Sequence, residues 1–437
     1  MLNKLKKLIA LDNPFRLLYH KIKAILANLY YNFPSKNMVI IWVTWTNWKT
    51  TTCNIIAKWL RATWKKVFMF STVNIIIWDE EYTNETKMTS PDSIELQKLL
   101  SIAKKEGCEI AVIETASHWI KMNRIWWLEY DICVLTNITQ DHLDLHRTME
   151  DYVNTKLKIF KNLITYKRKK NIKKVAVVNI DSDYSDLFIE ETYDSLYTYW
   201  NDHKSNLKAT DIKNTLDSTK FKVNIPWKEL EIKTKLKWNF NIHNILAAIW
   251  VFISLWIEKN KISEIIKEVE AVPWRMEEVE NEYWYKVFVD YAHTPDALEK
   301  VLETVKQISW INNIISVFWA TGDRDKTKRP IMWQIVSEYS NKVILTQDDD
   351  YTEPTENIIK DVLPWINRVE WKDFWIITER KEAIRTGLLM AEPKDIVLIF
   401  WKWDEHILVT NNWPIEWHDK TIVKEIFKGI DDNKIIK

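Results

Sequence analysis

Glycine is almost absent from this sequence: there are four in 437 residues, where average usage of about 7% would give about 30. Cysteine is also scarce. Cys53, Cys108 and Cys133 lack the spacing of a metal site and cannot form a disulfide framework. The sequence therefore excludes a disulfide-stabilised secreted domain, and we expect a reducing, cytoplasmic location.

Charge of one sign and long apolar runs are missing as well. The net charge is +1, so no nucleic-acid partner is predicted. No apolar run approaches the ~20 residues that span a bilayer, and no signal peptide opens the sequence. With 46% apolar and 28% charged residues, the chain is predicted to be globular, and its length indicates two or three domains.

Tryptophan, by contrast, is present in large excess, with 26 residues. Glycine and tryptophan together are about as numerous as the glycines expected in a chain of this length. Trp45 and Trp48 also stand in a loop that calls for glycine. We therefore predict that most of the tryptophans represent glycine, because the source organism decodes UGA as glycine. Trp126 or Trp127, and Trp417, are the predicted exceptions; the alternative is a truly tryptophan-rich protein.

Residues 1–37 are strongly basic, with seven lysines and arginines against one acidic residue, Asp12. Apolar residues recur at helical spacing between Ile22 and Leu29, which predicts one or two amphipathic helices. Such a segment can lie on an anionic membrane surface or pack against its own domain, and we favour packing.

Strand-like and helix-like segments alternate along most of the remaining chain. This alternation predicts βαβ units, a mainly parallel sheet and an α/β fold. Short polar and β-branched runs between 200 and 237 predict an antiparallel insertion, and a domain boundary is expected near 271–274. The predicted strands are Asn37–Val43, Glu109–Ile113, Ile132–Leu135, Val175–Val178, Val287–Val289, Ile314–Phe318, Lys342–Leu345 and Ile396–Phe400, and the predicted helices include Ser93–Lys105 and Asn244–Leu255.

The strongest motif follows the first of these strands and reads W-T-N-W-K-T-T-T, from Trp45 to Thr52, with a helix predicted from about Thr50. With glycine at 45 and 48 it becomes a phosphate-binding loop, because residues without a Cβ let backbone N–H groups surround an anion. Lys49 would reach the β- and γ-phosphates of ATP, and the Thr50 hydroxyl would hold Mg²⁺. Read literally, two indoles would fill the phosphate space. The predicted ATP-binding residues of this loop are Trp45, Thr46, Asn47, Trp48, Lys49, Thr50 and Thr51.

The loop resembles that of the Mur ligases, a family that includes the UDP-N-acetylmuramoyl-tripeptide synthetases (MurE type) and the folylpolyglutamate synthetases. The similarity extends from residue 38 to the C-terminus. It implies a central P-loop ATPase domain with a mainly parallel sheet, followed by a Rossmann-like α/β domain. We accordingly expect a short helical extension at 1–37, the central domain at 38–271 and the C-terminal domain at 272–437.

Three further blocks resemble the catalytic and metal-binding segments of MurE-type enzymes. Glu114 opens E-T-A-S-H-W, His142 lies in N-I-T-Q-D-H-L-D, and Lys156 ends Y-V-N-T-K. The resemblance implies that Lys49, Glu114, His142 and Lys156 are catalytic. It also implies that Thr50, Glu114, His142 and a carbamylated Lys156 serve Mg²⁺, a cation that prefers oxygen ligands.

Other matching positions imply substrate contacts. Thr89, Ser90 and Arg124 match residues that contact the UDP-linked muramoyl peptide, whereas Ala116 and Met122 depart from the family's usual Ser and Gln. Four positions match ATP contacts: Asn244 in W-N-F-N-I-H-N, Arg275 in P-W-R-M-E, and Asp290 with His293 in D-Y-A-H-T-P.

The acceptor amino acid would be bound by Arg324, in the block D-R-D-K-T-K-R-P, and by Glu405, in W-K-W-D-E. Diaminopimelate enzymes carry an arginine that pairs with the distal carboxylate of their substrate; Tyr351 stands at that position here. The acids Asp348 and Asp349 would suit a distal ammonium, which makes lysine the first expectation. An acidic, solvated turn is the alternative interpretation.

Together these features predict a monomeric ligase that uses ATP and Mg²⁺ to join an amino acid to a UDP-muramoyl peptide through an acyl phosphate, in peptidoglycan synthesis. Only 44 residues precede Trp45, where MurE-type enzymes carry a folded uridine-binding domain, so the sequence leaves the uridine site open. The alternatives are a folylpolyglutamate or MurT-like ligase, or an inactive scaffold of this family if the tryptophans are literal.

Overall fold

The computed structural model shows two compact units. The first comprises residues 1–139 and 145–272, and the second comprises residues 140–144 and 273–437. Residues that the structure describes are 13–44, 46, 48–86, 89–200, 205–215, 218–225, 228–236, 239–257, 261–262, 264–265, 276–319, 321–322, 325–351, 353–402, 407–409 and 414–435.

An eight-stranded sheet forms the centre of the first unit, in the order β4-β3-β2-β5-β1-β6-β7-β8. All pairings are parallel except β2–β3 and β3–β4. The central strands consist of buried, mainly branched apolar residues, as parallel strands covered on both faces require. The strands are β1 Val39–Thr44, β2 Val67–Phe70, β3 Asn74–Ile77, β4 Glu80–Thr83, β5 Ile110–Thr115, β6 Ile132–Leu135, β7 Val175–Asn179 and β8 Ser195–Tyr199.

The helices that begin at Pro14, Ser93 and Met149 each follow a residue whose side chain caps the first turn. The helix predicted at Ser93–Lys105 has those bounds, because the Asp92 carboxylate accepts from the backbone N–H of Ile94 and ends the preceding loop. The helix predicted from Asn244 begins earlier, at Asn239. The helices are α1 Pro14–Tyr30, α2 Lys49–Ala62, α3 Ser93–Lys105, α4 Ser117–Lys121, α5 Leu143–His146, α6 Met149–Thr165, α7 Asp186–Ile189 and α8 Asn239–Ser254, with a 3₁₀ turn at Pro34–Asn37.

A separate antiparallel sheet, in the order β11-β10-β9, confirms the insertion predicted between 200 and 237. Residues alternate between buried and exposed along β10, so one face of this sheet is covered and the other meets water. The strands are β9 Ala209–Asn214, β10 Thr219–Ile225 and β11 Lys228–Thr234.

The second unit is built on a six-stranded sheet in the order β12-β13-β17-β14-β15-β16, which is parallel apart from β12. The mixed α/β architecture predicted from the sequence is confirmed. Its strands are β12 Glu277–Glu278, β13 Lys286–Asp290, β14 Ile314–Phe318, β15 Lys342–Leu345, β16 Phe374–Ile376 and β17 Ile396–Phe400, with a hairpin of β18 Ile407–Val409 and β19 Pro414–Glu416. Its helices are α9 Pro295–Lys306, α10 Lys328–Tyr339, α11 Thr355–Val362, α12 Arg380–Leu389 and α13 Asp419–Ile435, with a 3₁₀ turn at Leu363–Trp365.

Helix α1 supplies the helix predicted within residues 1–37. It begins at Pro14, after Asn13 caps the first turn, and packs against α3 through a face that includes His20, Ala24 and Asn28. None of the helices in the described part of the chain is both long and apolar enough to cross a membrane.

Many tryptophans occupy backbone conformations that suit glycine. Among the described residues, eight tryptophans have positive φ, a region that costs an L-residue about 1–2 kcal/mol. Other tryptophans are buried with no hydrogen-bond partner for the indole N–H in the described structure, including Trp42, Trp59 and Trp319, although buried indoles usually find one. Both features support glycine at these positions. The positive-φ tryptophans are Trp48, Trp64, Trp78, Trp127, Trp200, Trp256, Trp371 and Trp401.

At least four of the described tryptophans have surroundings that suit an indole. Trp250 and Trp333 are buried, and their indole N–H groups donate to backbone carbonyls at 3.0 and 2.9 Å. Trp417 is buried and its indole N–H donates to Asp419 at 2.7 Å. The ammonium of Lys21 lies 3.9 Å from the centroid of the Trp126 ring, a distance typical of a cation–π contact. Of the neighbouring pair predicted to contain one true tryptophan, Trp127 has φ 70°, so the structure favours Trp126.

Candidate functional site

The phosphate loop lies at the carboxyl end of β1, the central strand of the first sheet. β5 pairs with β1 on one side and β6 on the other, so residues that follow all three strands meet at one edge. Glu114, near the end of β5, accepts a 3.0 Å hydrogen bond from the Thr50 hydroxyl at the start of α2. The structure thus brings together two residues that the sequence assigned to one magnesium site.

Thr72, which the sequence did not single out, completes the surroundings of Glu114. Its backbone N–H donates to Oε2 of Glu114 at 2.7 Å, and its hydroxyl donates to Oε1 at 3.0 Å. Both carboxylate oxygens are therefore oriented by hydrogen bonds, and Glu114 is almost fully buried. Such fixed carboxylate oxygens are suited to a hard cation.

Lys49 and Trp48 occupy the loop itself. The Lys49 ammonium donates to the Thr46 carbonyl at 3.2 Å. Trp48 has φ 64° immediately before α2, and its ring stacks on Phe240 at 5.5 Å between ring centroids. The other two predicted loop residues, Trp45 and Asn47, lie outside the described residues.

Tyr152 connects the phosphate loop to the predicted catalytic lysine. The Thr46 hydroxyl donates to the Thr139 carbonyl at 3.1 Å and lies 3.0 Å from the Tyr152 hydroxyl, which can donate to it. One turn further along α6, Lys156 is fully buried, with its ammonium 4.7 Å from the centroid of the Tyr152 ring. The sequence did not predict a function for Tyr152, which is the first residue of the Y-V-N-T-K motif. Its hydrogen bond to Thr46 indicates that it helps to hold the loop.

In the chain with glycine at 45 and 48, replacing Tyr152 with phenylalanine should weaken ATP binding about 3- to 10-fold, because one hydrogen bond to the loop is removed and such a bond contributes about 0.5–1.5 kcal/mol. Isothermal titration with ATP measures the change. Tyr130→Phe is the matched control, since Tyr130 is also buried and donates to a backbone carbonyl, that of Ile125. Equal ATP affinities in the two variants would contradict the role of Tyr152.

A second buried network in the first unit was not predicted. The His146 ring lies 2.9 Å from the Ser117 hydroxyl and 3.4 Å from Asp151, which also pairs with Lys121 at 2.6 Å. Burial, reinforced by Lys121, lowers the pKa of His146 to about 4. A neutral His146 therefore orients the start of α4, the segment that follows Glu114.

The predicted muramoyl-peptide residues lie in two places. Ser90 is buried at the end of β5, where its hydroxyl donates to the Glu114 carbonyl and accepts from Ala116, both at 3.3 Å. Thr89 precedes it and is partly exposed. Arg124 lies instead near Asp92. Burial lowers the pKa of Arg124, and the opposite effect of Asp92 is smaller.

Asn244 is buried against the phosphate-loop helix. It accepts from the Thr52 hydroxyl at 2.9 Å and donates to Asn241 at 3.1 Å. Thr51, the last loop residue that the sequence assigned to ATP, precedes Thr52 and is almost fully buried. These contacts hold α2 against α8.

The predicted catalytic residues are divided between the units. Glu114 and Lys156 belong to the first unit, whereas His142 lies in the five-residue segment that belongs to the second. His142 lies 3.4 Å from the Asp141 carboxylate. Burial opposes ionisation of Asp141, but His142 and Lys328 outweigh it and keep the pKa of Asp141 well below its usual value.

Asp290 is the last residue of β13 in the second unit, and His293 follows it in the next turn. The two Asp290 carboxylate oxygens accept backbone N–H bonds from Met276 and Ala292, each at 2.7 Å, and His293 hydrogen-bonds to the Tyr291 carbonyl at 2.7 Å. Asp290 is thus a fixed element of this turn. Arg275, predicted to contact ATP, lies outside the described residues.

The acidic loop after β15 faces an internal cation. Lys402 is fully buried, donates to Asp349 at 2.6 Å and lies 3.8 Å from Asp348. The two carboxylates thus already face the Lys402 ammonium. The sequence led us to expect instead that they bind the distal ammonium of a substrate. Burial raises the pKa of the next acid, Asp350, to about 6. Arg324 and Glu405 lie outside the described residues.

The fit of a metal rests on Thr50 and Glu114. Their oxygens converge at 3.0 Å, and a hydroxyl with a carboxylate is a donor set that Mg²⁺ accepts together with phosphate oxygens. Within the described ranges, no three histidine, cysteine or acidic side chains converge on a point. A magnesium ion held by Thr50 and Glu114 would take further ligands from the nucleotide and from water.

Comparison with known families and proteins agrees with this geometry. Residues 43–252 match the model of the Mur ligase middle domain, and residues 274–400 match that of the Mur ligase glutamate ligase domain. The UDP-N-acetylmuramoyl-L-alanyl-D-glutamate–2,6-diaminopimelate ligase of Bacillus cereus is 34% identical over 427 residues, which cover 98% of this chain and 84% of the relative. The ligase of the same description from Caldanaerobacter subterraneus is 36% identical over 401 residues, covering 92% and 80%.

Solved structures give the same picture of the fold. A UDP-N-acetylmuramoyl-L-alanyl-D-glutamate–2,6-diaminopimelate ligase superposes with a TM-score of 0.63 at 26% identity and covers 94% of this chain and 83% of its own. The folylpolyglutamate synthase of Mycobacterium tuberculosis, complexed with ADP and AMPPCP, reaches a TM-score of 0.70, covering 87% and 92%. At 12% identity this second similarity concerns the fold alone.

Proposed function

Because the chain belongs to the Mur ligase family and is an ATP-dependent ligase of the MurE type, we propose that it adds a diamino acid to UDP-N-acetylmuramoyl-L-alanyl-D-glutamate in peptidoglycan synthesis. The observation that carries this proposal is the contact between Thr50 of the phosphate loop and Glu114. This contact supports a metal-binding role for the two residues, at the edge of the sheet where ATP phosphates would lie.

In the proposed reaction, the γ-phosphate of ATP is transferred to the D-glutamate carboxylate, and an acyl phosphate forms. The acceptor amine then attacks the acyl carbon, phosphate leaves and an amide bond results. The main physical difficulty is the repulsion between the anionic reactants. Lys49, placed at the loop, and Arg275 would offset it, and bound Mg²⁺ would supply further positive charge.

Within this scheme, the residues of the first unit hold the reactants. Backbone amides of the loop would bind the phosphates if glycine stands at 45 and 48, Thr50 and Glu114 would hold Mg²⁺, and a carbamylated Lys156 would add a further anionic ligand. Ser90 and Thr89 would contact the muramoyl peptide near the end of β5. His142 is the remaining residue that the family resemblance assigns to Mg²⁺.

The proposal also concerns which diamino acid is added. The relatives named above act on diaminopimelate, whereas Tyr351 offers no cation to a distal carboxylate. Asp348 and Asp349 already face Lys402. We therefore propose that the site accepts the α-amino acid end shared by diaminopimelate and lysine, with selectivity weaker than an arginine would provide.

A phosphate-release assay tests the proposal. The chain with glycine at 45 and 48 is incubated with ATP, Mg²⁺, UDP-N-acetylmuramoyl-L-alanyl-D-glutamate and one amino acid at a time. We expect release with diaminopimelate or lysine and a product whose mass contains the added residue, with less than about tenfold discrimination between the two. Release with neither diamino acid would refute the function. Release when folylglutamate replaces the muramoyl dipeptide and glutamate supplies the amine would favour the folylpolyglutamate alternative.

A further inference from the structure

Helix α1 presents an apolar face to water. Large apolar side chains on this helix are between 48% and 83% exposed, and they recur at intervals of three and four residues, so they form one stripe. The opposite side, which is buried, contains the polar residues His20 and Asn28. This is the reverse of a helix that only covers a protein core. The side chains of this apolar face are Phe15, Leu18, Tyr19, Ile22, Leu26, Leu29 and Tyr30.

The apolar face continues into a groove of about 500 Å³ beside helix α3. Tyr19, Ile22, Leu26 and Tyr30 line it from α1, and Ile94 lines it from α3. A contiguous apolar surface of this kind usually marks an interaction site. Its three tyrosines, Tyr19, Tyr30 and Tyr31, combine an apolar ring with a polar hydroxyl, as side chains at a membrane–water boundary do.

The charge of the same segment identifies the partner. Helix α1 contains Arg16, Lys21 and Lys23 and no acidic residue, and the first thirty residues contain six lysines and arginines against Asp12. The net charge of the whole chain is only +1, so the rest of the chain is net negative. The sequence therefore concentrates positive charge in the segment that contains the apolar face. Of the cations on α1, Lys23 also pairs with Asp92 at 2.9 Å and Lys21 lies over the Trp126 ring.

We propose that helix α1 docks this protein on an anionic lipid surface. The apolar face would enter the headgroup region, and the cations would lie against lipid phosphates, as in amphipathic helices that rest in the plane of a membrane. A second copy of the chain is a poorer occupant, because it would bring two sets of cations together. The helix contains no tryptophan and none of the proposed active-site residues, so this proposal and the proposed function can fail independently.

Co-sedimentation of the full chain with lipid vesicles tests the docking. Vesicles of phosphatidylcholine with one-third phosphatidylglycerol should bind the chain at least tenfold more tightly than pure phosphatidylcholine, and high salt should weaken this binding. The double variant Ile22→Ser/Leu26→Ser should bind the anionic vesicles at least tenfold more weakly. Leu363→Ser/Leu389→Ser is the matched control: those residues are 44% and 58% exposed, against 48% and 59% for the test pair.

In the chain with glycine at 45 and 48, both double variants should retain ligase turnover in solution and the parent melting temperature, since all four side chains are exposed. The comparison of the two lipid compositions uses the unmodified chain and does not depend on how a variant folds. Absence of binding to anionic vesicles, or equal binding by the test variant, would overturn the proposal. The proposal would also be overturned if light scattering showed that the unmodified chain is a dimer and that only the Ile22→Ser/Leu26→Ser variant is not.

Discussion

A chain with glycine at positions 45 and 48 is expected to bind ATP at least about 100-fold more tightly than the same chain with tryptophan at both. The phosphates need backbone N–H groups that point inward, and an indole at either position occupies the space that they would enter. Trp48 in particular is buried and stacked on Phe240. A 100-fold difference in affinity corresponds to about 2.7 kcal/mol of binding free energy. We expect two bulky side chains in a closed phosphate site to cost at least this much.

Equilibrium titration with ATP measures this difference on the two proteins. Trp284→Gly is the matched control, because Trp284 is 85% exposed and its replacement should leave ATP affinity unchanged. Both proteins should be compared at similar melting temperatures, so that unfolding is not mistaken for weak binding. Tight ATP binding by the tryptophan form would mean that these residues are literal and the loop binds nucleotide in another way.

Replacing Lys156 with alanine is expected to lower ligase turnover by about 100- to 1,000-fold, the range seen when one group that stabilises a transition state is removed. Lys156 is fully buried on α6 beside Tyr152, which also lies 3.0 Å from the phosphate-loop Thr46. Carbamylation would convert its ammonium into a carboxylate-like group that can join Thr50 and Glu114 in serving Mg²⁺.

Lys158→Ala is the matched control for this prediction, since Lys158 lies on the same helix but is exposed. A short carboxylate such as acetate should partly restore turnover in Lys156→Ala, because it can replace the missing oxygens, and should do nothing for the Lys158 variant. If Lys156 is only structural, its variant would melt earlier, yet the folded fraction would turn over normally and acetate would have no effect.

Local signals in the sequence predicted much of the fold. Strands β14, β15 and β17 have the limits predicted for them, because each is a short apolar run rich in branched residues. Helix α3 has its predicted limits because Asp92 is a strong N-cap. Helix α8 begins five residues before its predicted start, at Asn239, because Phe240 and Ile242 are buried along with the rest of the helix. Burial of this kind depends on tertiary partners, which the sequence does not display.

The candidate site could also be predicted only in part from the sequence. Thr50 and Glu114 could be paired in advance because each belongs to a motif that has its own chemistry. Thr72 could not, since it lies 42 residues before Glu114 in an ordinary loop, and Tyr152 lies 106 residues from Thr46. The pairing of Lys402 with Asp349 was also beyond the sequence, which offered only an acidic run and a lysine 53 residues later.

The tryptophans connect the sequence to the chemistry. The left-handed φ of Trp48, Trp200 and Trp401, and the unsatisfied indole of the buried Trp42, are each explained if glycine occupies these positions. The same substitution turns the segment after β1 into a phosphate cradle, so the proposed ligase activity and the proposed recoding stand together.

The most direct test is peptide mass spectrometry of the protein isolated from its source organism, on the fragment that contains residues 45–48. We predict a fragment mass that corresponds to glycine at 45 and 48, with tryptophan retained at 417 in the C-terminal fragment. A mass that corresponds to tryptophan at both 45 and 48 would contradict the phosphate cradle and, with it, the catalytic role proposed for this chain.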